Sequence, residues 1–102
     1  MRRNIVRLSI AKAEPRVMKL TLGALAELEA AMQADTLVAL IERFEGGQVS
    51  ARDVVALIVA GLRGGGWRGR SEDLLSSDIE GGPVAATKAA GELIRRAFAL
   101  DG

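Results

Sequence analysis

The chain has 102 residues, about half of them hydrophobic, and a formal net charge of +1. This length and apolar content predict a single domain, residues 1–102, with a true hydrophobic core. The sequence contains neither cysteine nor histidine, which excludes disulfides, thiolate metal sites and every catalytic arrangement that needs an imidazole or a thiol. We therefore predict no enzyme activity, with no catalytic residue, no cofactor and no metal site.

The positive charges concentrate at the N-terminus. The first twenty residues hold six lysines and arginines and one glutamate, and the segment after them is acidic. One interpretation is internal complementarity, in which a basic sheet edge lies beside acidic helices. The other is a contact surface for nucleic acid or an acidic partner. We favour the first, because no aromatic side chains interleave the basic ones as they do in proteins that bind single strands.

Residues 4–20 are predicted to form an antiparallel β-hairpin. Asn4–Ile10 and Pro15–Leu20 both alternate apolar and polar side chains, the period of a strand. The connection, Ala11–Glu14, contains no glycine, so a tight primed turn is not indicated. Because an isolated two-stranded hairpin is marginally stable, we expect it to lie on the helices.

The most apolar stretch, Ser50–Leu62, is predicted to be the central helix. It is apolar on nearly every face, and it is shorter than the roughly 20 residues that span a bilayer. We therefore expect it to be buried on all sides in a protein that does not associate with membranes. Ser50 and Asp53 form a capping box at its start, and Gly64–Gly66 can supply a left-handed residue at its end.

Further helices complete a helical body over residues 21–100. Thr21 caps one helix, and Asp35 or Thr36 caps the next. Ser71 caps a short helix, and Pro83 opens the last one. The sequence therefore predicts a mostly α fold (α+β) of about five helices, packed around the buried central one. The four further helices are predicted over Leu22–Met32, with Leu22, Leu25, Leu28 and Met32 facing inward, over Leu37–Glu45, from Ser71 to about Asp78, and from Pro83 to about Ala99.

The segment Arg63–Arg70 is the candidate partner-binding site. Its four glycines predict the most mobile internal part of the chain. Trp67, the only tryptophan, either fills the core from a loop or anchors a partner, since tryptophan and arginine are enriched in interface hot spots. Both interpretations stay open. The predicted partner-binding residues are Arg63, Gly64, Gly65, Gly66, Trp67, Arg68 and Arg70.

No motif for chemistry accompanies these features. The glycine clusters lack a following Lys-Ser or Lys-Thr and do not follow predicted strands, so a phosphate-binding loop is not indicated. The carboxylate pairs Glu42 with Glu45 and Glu72 with Asp73 have no acid, base or lysine partner at a recognisable spacing. We interpret them as helical surface charge.

Three segments resemble the phage and gene-transfer-agent family of tail assembly chaperones and tail tube proteins. They are LTLGALAELEA at residues 20–30, SARDVVALIVAGLRGGG at residues 50–66, and EGGPVAATKAAGELIRRAF at residues 80–98. The resemblance covers nearly the whole chain, and its strongest parts are packing and loop patterns. The chain departs from the family at Ala11–Glu14, where a glycine-bearing turn is expected.

This resemblance implies a non-enzymatic tail assembly protein. The main expectation is a chaperone that binds the long, apolar tape measure protein in the bacterial cytoplasm. A structural tail tube or tail-completion subunit, retained in the particle, is the first alternative. A small nucleic-acid-binding regulator is the second. The expected partners are the tape measure or another tail protein, with a homo-oligomer as a further option.

Overall fold

A computed structural model describes residues 5–8, 16–32, 36–70, 73 and 79–98. The predicted mostly helical fold with an N-terminal hairpin is confirmed, with four helices rather than five in these residues. The predicted short helix from Ser71 to Asp78 lies outside them, apart from Asp73. The elements are strands β1 (Ile5–Leu8) and β2 (Arg16–Lys19) and helices α1 (Leu22–Met32), α2 (Leu37–Gly46), α3 (Ala51–Gly64) and α4 (Gly82–Phe98).

The two strands form an antiparallel pair in which Val6 lies opposite Met18 and Arg7 lies opposite Val17. The alternation works as expected, because Val6 and Met18 are buried while Arg7 and Val17 are exposed. Strand β2 ends at Lys19, one residue before the predicted Leu20. The other predicted strand ends, Asn4, Ile10 and Pro15, lie outside the described residues. The connection between them belongs to residues 9–15, which lie outside the described part of the chain.

Helix α3 is the centre of the fold, as its composition predicts, and it contacts α1, β2 and α4. The capping box at its start is present. Ser50 Oγ accepts a hydrogen bond from the Asp53 amide at 3.1 Å, and Asp53 Oδ2 accepts one from the Ser50 amide at 3.1 Å. Each bond satisfies a backbone donor that the first helical turn leaves without a partner.

Side-chain and glycine caps also fix the ends of α1 and α2. Thr21 Oγ1 accepts a hydrogen bond from the Ala24 amide of α1 at 3.0 Å. Thr36 Oγ1 accepts one from the Ala39 amide of α2 at 3.1 Å. Thr36 is therefore the cap of α2, and Asp35 lies outside the described residues. Gly47 closes α2 with a φ of +73°, the left-handed conformation that glycine adopts without steric cost.

The prediction that Leu22 faces the core is wrong. Leu22 is 86% exposed, whereas Leu28 of the same expected stripe is buried and Leu25 and Met32 are half-buried. At 3.6 residues per turn, Leu22 lies roughly 120° around the helix from Leu28. Since the buried side of α1 carries Ala24 and Leu28, Leu22 in the first turn points to solvent.

The hydrophobic core is drawn from every described element, and α2 contributes only Leu40 to its fully buried part. No polar or charged side chain of the described residues is buried. The core therefore gains its stability from apolar burial and close packing. Its largest fully buried side chains are Met18, Leu28, Leu40, Leu57, Ile58, Leu62, Leu93 and Ile94.

Candidate partner-binding surface

The C-terminal half of α3 meets the hairpin through glycines. A Cβ on Gly61 would lie 3.1 Å from the Met18 Cβ and would overlap the Leu93 side chain. A Cβ on Gly64 would overlap the Lys19 carbonyl, and one on Gly65 would overlap the Val17 carbonyl. Glycine is required here because the backbones of α3 and β2 approach too closely for a side chain.

The prediction that the glycine-rich segment Arg63–Arg70 is mobile is wrong for its first residues, which make this contact. Gly65 donates to the Gly61 carbonyl at 3.0 Å, Gly66 to the Arg63 carbonyl at 3.0 Å, and Trp67 to the Leu62 carbonyl at 2.9 Å. The left-handed residue after the helix is Gly66, with a φ of +104°. The chain is thus held against β2 and hydrogen-bonded where a free linker was expected.

Trp67 is half-buried and packs against the hydrophobic core. Its indole also lies over Gly69, where a Cβ would overlap the ring. Arg63 Nη2 donates to the Gly69 carbonyl at 3.3 Å, which brings two ends of the predicted site together. Arg68 and Arg70 are exposed. This placement supports the core-filling interpretation of Trp67, and its role as a partner anchor stays a prediction.

An apolar groove lies elsewhere on the surface, between α1 and α3. This α1–α3 groove has a volume of about 560 Å³, and most of its lining side chains are alanine, valine or leucine. Small side chains let a second backbone approach closely. The groove is lined by Glu27, Leu28, Ala30, Ala31, Ala51, Arg52, Val55, Ala56, Val59, Ala60 and Arg63.

A second groove, of about 320 Å³, lies on the other side of α3, against the start of α4. This α3–α4 groove includes Val49, Pro83 and Ala86, and it shares Ala51 and Val55 with the α1–α3 groove. The N-terminal half of α3 is therefore an apolar ridge between two grooves. The prediction that α3 is buried on all sides is wrong for this half.

Charges mark both ends of the α1–α3 groove. Arg63 Nη1 lies 3.2 Å from Glu27 Oε1, and this ion pair joins α3 to α1 at one end. Arg52, at the other end, is exposed and makes no ion pair within the described residues. An apolar occupant of the groove would therefore gain from a carboxylate placed opposite Arg52.

The first turn of α3 is tied to α2 through Asp53, the residue after Arg52. Arg43 donates from Nε to Asp53 Oδ2 at 2.8 Å and from Nη2 to Oδ1 at 2.9 Å, a bidentate pair. The Arg43 hydrogen bonds lower the pKa of Asp53, with help from Ser50 and against the effect of desolvation. Because Asp53 also belongs to the capping box, this carboxylate fixes the start of α3 and the position of α2 together.

The basic residues that the structure describes in the hairpin do not pair with the acidic helices, and Arg2, Arg3 and Lys12 lie outside the described ranges. In the described part of the chain, Arg7, Arg16 and Lys19 form no ion pair. No group of three or more acidic side chains in the described ranges could hold a metal ion. None of the described helices has the length and hydropathy that crossing a membrane would require.

Sequence reasoning missed the groove residues because nothing distinguishes an alanine in a groove from an alanine between packed helices. The alanines of α1 and α3 indicate only that something can approach closely. The partner-binding residues predicted from the sequence lie at the C-terminal end of α3 and in the segment after it, and Arg63 alone is common to that set and the α1–α3 groove.

Comparison with known families decides the broader identity. A family model described as "Phage tail tube protein, GTA-gp10" matches residues 6–100. The chain belongs to this family. The match confirms the expected relation to phage and gene-transfer-agent tails, and the family's description names a structural component, which a chaperone is not. Searches of curated proteins and of solved structures returned no match.

Proposed function

We propose that this protein is a structural subunit of a phage-like or gene-transfer-agent tail, retained in the particle as part of the tail tube or its completion. The observation that carries the proposal is the family match over residues 6–100. The proposal replaces the chaperone as the main expectation, and it keeps other tail proteins or further copies of this chain as partners.

The surface suits assembly with other proteins. The two grooves beside the N-terminal half of α3 leave apolar side chains uncovered in the isolated chain. Leu22, Val38 and Val84 are large apolar side chains that are well exposed as well. Apolar surface that remains after folding is a common property of subunits that bury it in an assembly.

A tail assembly chaperone is the second candidate, and the α1–α3 groove is the observation that favours it. An apolar groove between helices can accept the apolar face of an amphipathic helix, such as one from a tape measure protein. A nucleic-acid-binding regulator has less support. The only tryptophan packs against the core, and the basic residues of the hairpin have no aromatic neighbour in sequence.

Quantitative mass spectrometry of purified particles separates the first two functions. A structural subunit should be present at a defined copy number relative to the capsid protein, which serves as the loading reference. A chaperone should be abundant in the producing cells and absent from purified particles. Absence from the particles would therefore refute the structural proposal and leave the chaperone as the better account.

Two binding assays address the alternatives directly. Co-expression with the tape measure protein, followed by affinity capture, should recover it strongly only if this chain is its chaperone. DNA affinity measured at increasing salt should show no specific, steeply salt-dependent binding unless the basic hairpin contacts phosphates.

A further inference from the structure

The α1–α3 groove has a regular wall on its α3 side. Counted from Arg52, the other lining residues of this wall stand three, four, seven and eleven positions further on, so they share one face of the helix; they are Val55, Ala56, Val59 and Arg63. At 1.5 Å per residue, the two arginines lie roughly 16 Å apart along the axis. The groove therefore offers an apolar floor about three turns long, with the exposed Arg52 at one end and the Arg63–Glu27 ion pair at the other.

The outer side of α1 carries a matching stripe. Leu22 is 86% exposed, the highest value among the large apolar side chains of the described residues. Ala26 and Glu29 follow it at four and seven residues, so all three lie on one face, and all three are exposed. This outer stripe presents a large apolar side chain at one end and a carboxylate at the other.

The stripe and the groove lie on different sides of the same helix. Leu28 and Ala31 turn toward the groove, whereas Leu22 points away from it. A single chain therefore cannot fill its own groove with its own stripe. Two different surfaces that are complementary on one molecule make a head-to-tail contact, which produces rings or filaments.

We propose that the α1–α3 groove of one copy receives the outer stripe of α1 from a second copy, with Glu29 of that copy facing Arg52. This inference rests on the proposed structural function, because a tail tube is built from repeated copies. If the docked α1 runs antiparallel to α3, Leu22 lies roughly 10 Å from Glu29 along the axis and comes level with Val59. The alanine-rich lining permits this close approach.

Sedimentation velocity of the full chain over a wide concentration range tests the contact. The wild-type protein should associate as its concentration rises. Leu22→Glu and Arg52→Glu should each weaken association at least about tenfold. Leu22→Glu would place a charge in the apolar groove, and Arg52→Glu would bring two carboxylates face to face, since Glu29 of the second copy lies opposite this position. Val38→Glu is the matched control. Val38 is 64% exposed and lies outside the groove lining, so the Val38→Glu protein should associate as the wild type does.

A charge exchange makes the assignment specific. Glu29→Arg should also weaken association, and the double variant Glu29→Arg with Arg52→Glu should recover most of the lost affinity. Circular dichroism spectra like that of the wild type should accompany every variant, since all four substituted positions, 22, 29, 38 and 52, are exposed. A double variant no better than either single variant would overturn the assignment of these two residues.

Other outcomes separate this inference from the proposed function. A wild-type protein that stays monomeric at every concentration, or one that associates equally well with Leu22→Glu, would overturn the head-to-tail contact. A monomer whose groove instead binds an added tape measure helix would do so as well. If purified particles contain the protein and the Leu22→Glu variant still assembles into them normally, the structural function stands and the head-to-tail contact is wrong. If the protein self-associates with the predicted response to the substitutions but is absent from particles, the contact stands and the structural function is wrong.

Discussion

The two halves of α3 are both rich in apolar side chains, yet they have opposite surroundings. All of residues 57–62 are buried, whereas Val54 is the only buried residue among residues 51–56. The C-terminal half lies against β2 through Gly61 and Gly64. The N-terminal half stands between two grooves, and the α1–α3 groove continues from it along one face of α3 to Arg63. The same helix therefore serves as the core at one end and as an accessible surface at the other.

This difference follows from the neighbours rather than from α3 itself. Glycines bring the hairpin backbone onto the C-terminal half, and the Leu93 side chain comes close to Gly61. The N-terminal half is fixed by its cap and by the Arg43–Asp53 pair, which hold its position without covering it. Stability and binding can therefore be changed separately by substitutions at the two ends.

The largest effect is expected at the centre of the closed half. Ile58→Ala should lower the free energy of unfolding by about 2–5 kcal/mol, because Ile58 is almost fully buried and its truncation leaves a cavity. Urea unfolding at neutral pH measures this loss. A change below about 0.5 kcal/mol, the range typical of surface positions, would contradict the burial of this half.

The glycine contact gives the next effect. Gly64→Ala should cost about 1–3 kcal/mol, since the added methyl meets the Lys19 carbonyl, a backbone group that cannot rotate away. The matched control is Gly91→Ala in α4, where the nearest atom, of Phe44, is 3.6 Å away. That change should stabilise the helix by up to about 1 kcal/mol. Equal responses at the two glycines would show that close packing is not what Gly64 provides.

The link between α2 and the start of α3 should show a dependence on pH. Because the Arg43 hydrogen bonds lower the folded-state pKa of Asp53, its contribution is complete above its unfolded-state pKa, near 4. It is lost as pH falls below that value through the folded-state pKa. Asp53→Asn should cost about 1–2 kcal/mol at pH 7 and much less at pH 3.

Urea unfolding at both pH values measures this difference. The control is Glu92→Gln, which removes the exposed Glu92–Arg96 pair within α4 and should cost at most about 0.5 kcal/mol. If the wild type and Asp53→Asn lost stability in parallel on acidification, the bidentate pair would not be the cause.

The smallest effect on stability is expected in the open half. Arg52→Glu should change the free energy of unfolding of the monomer by no more than about 0.5 kcal/mol, because Arg52 is exposed and makes no ion pair in the described chain. Thermal unfolding at a concentration below association measures it. A loss as large as that of Ile58→Ala would mean that this end of α3 is covered after all.

Local rules predicted the element boundaries well. The predicted N-cap positions are occupied as their chemistry favours, by Ser50 with Asp53, by Thr21 and by Thr36, because a cap depends only on the residues beside it. These residues placed α1, α2 and α3 correctly before any packing was known.

The surface could not be predicted in the same way. An apolar side chain such as Leu22 has the same periodicity whether a neighbour covers it or not. Gly64 and Gly65 were interpreted as a linker because a glycine that permits close approach cannot be distinguished by sequence from one that permits flexibility. The grooves likewise depend on where α1 and α4 lie, which is a property of the whole fold.

Thiol labelling of assembled particles tests the central claim that the open half of α3 is covered only in the assembly. The sequence has no cysteine, so single variants Ala30→Cys in the groove wall and Val38→Cys outside it report accessibility without background. In the free protein both should react readily. In purified particles the account predicts that Ala30→Cys is protected while Val38→Cys still reacts, whereas equal reactivity of the two, or absence of the protein from the particles, would contradict it.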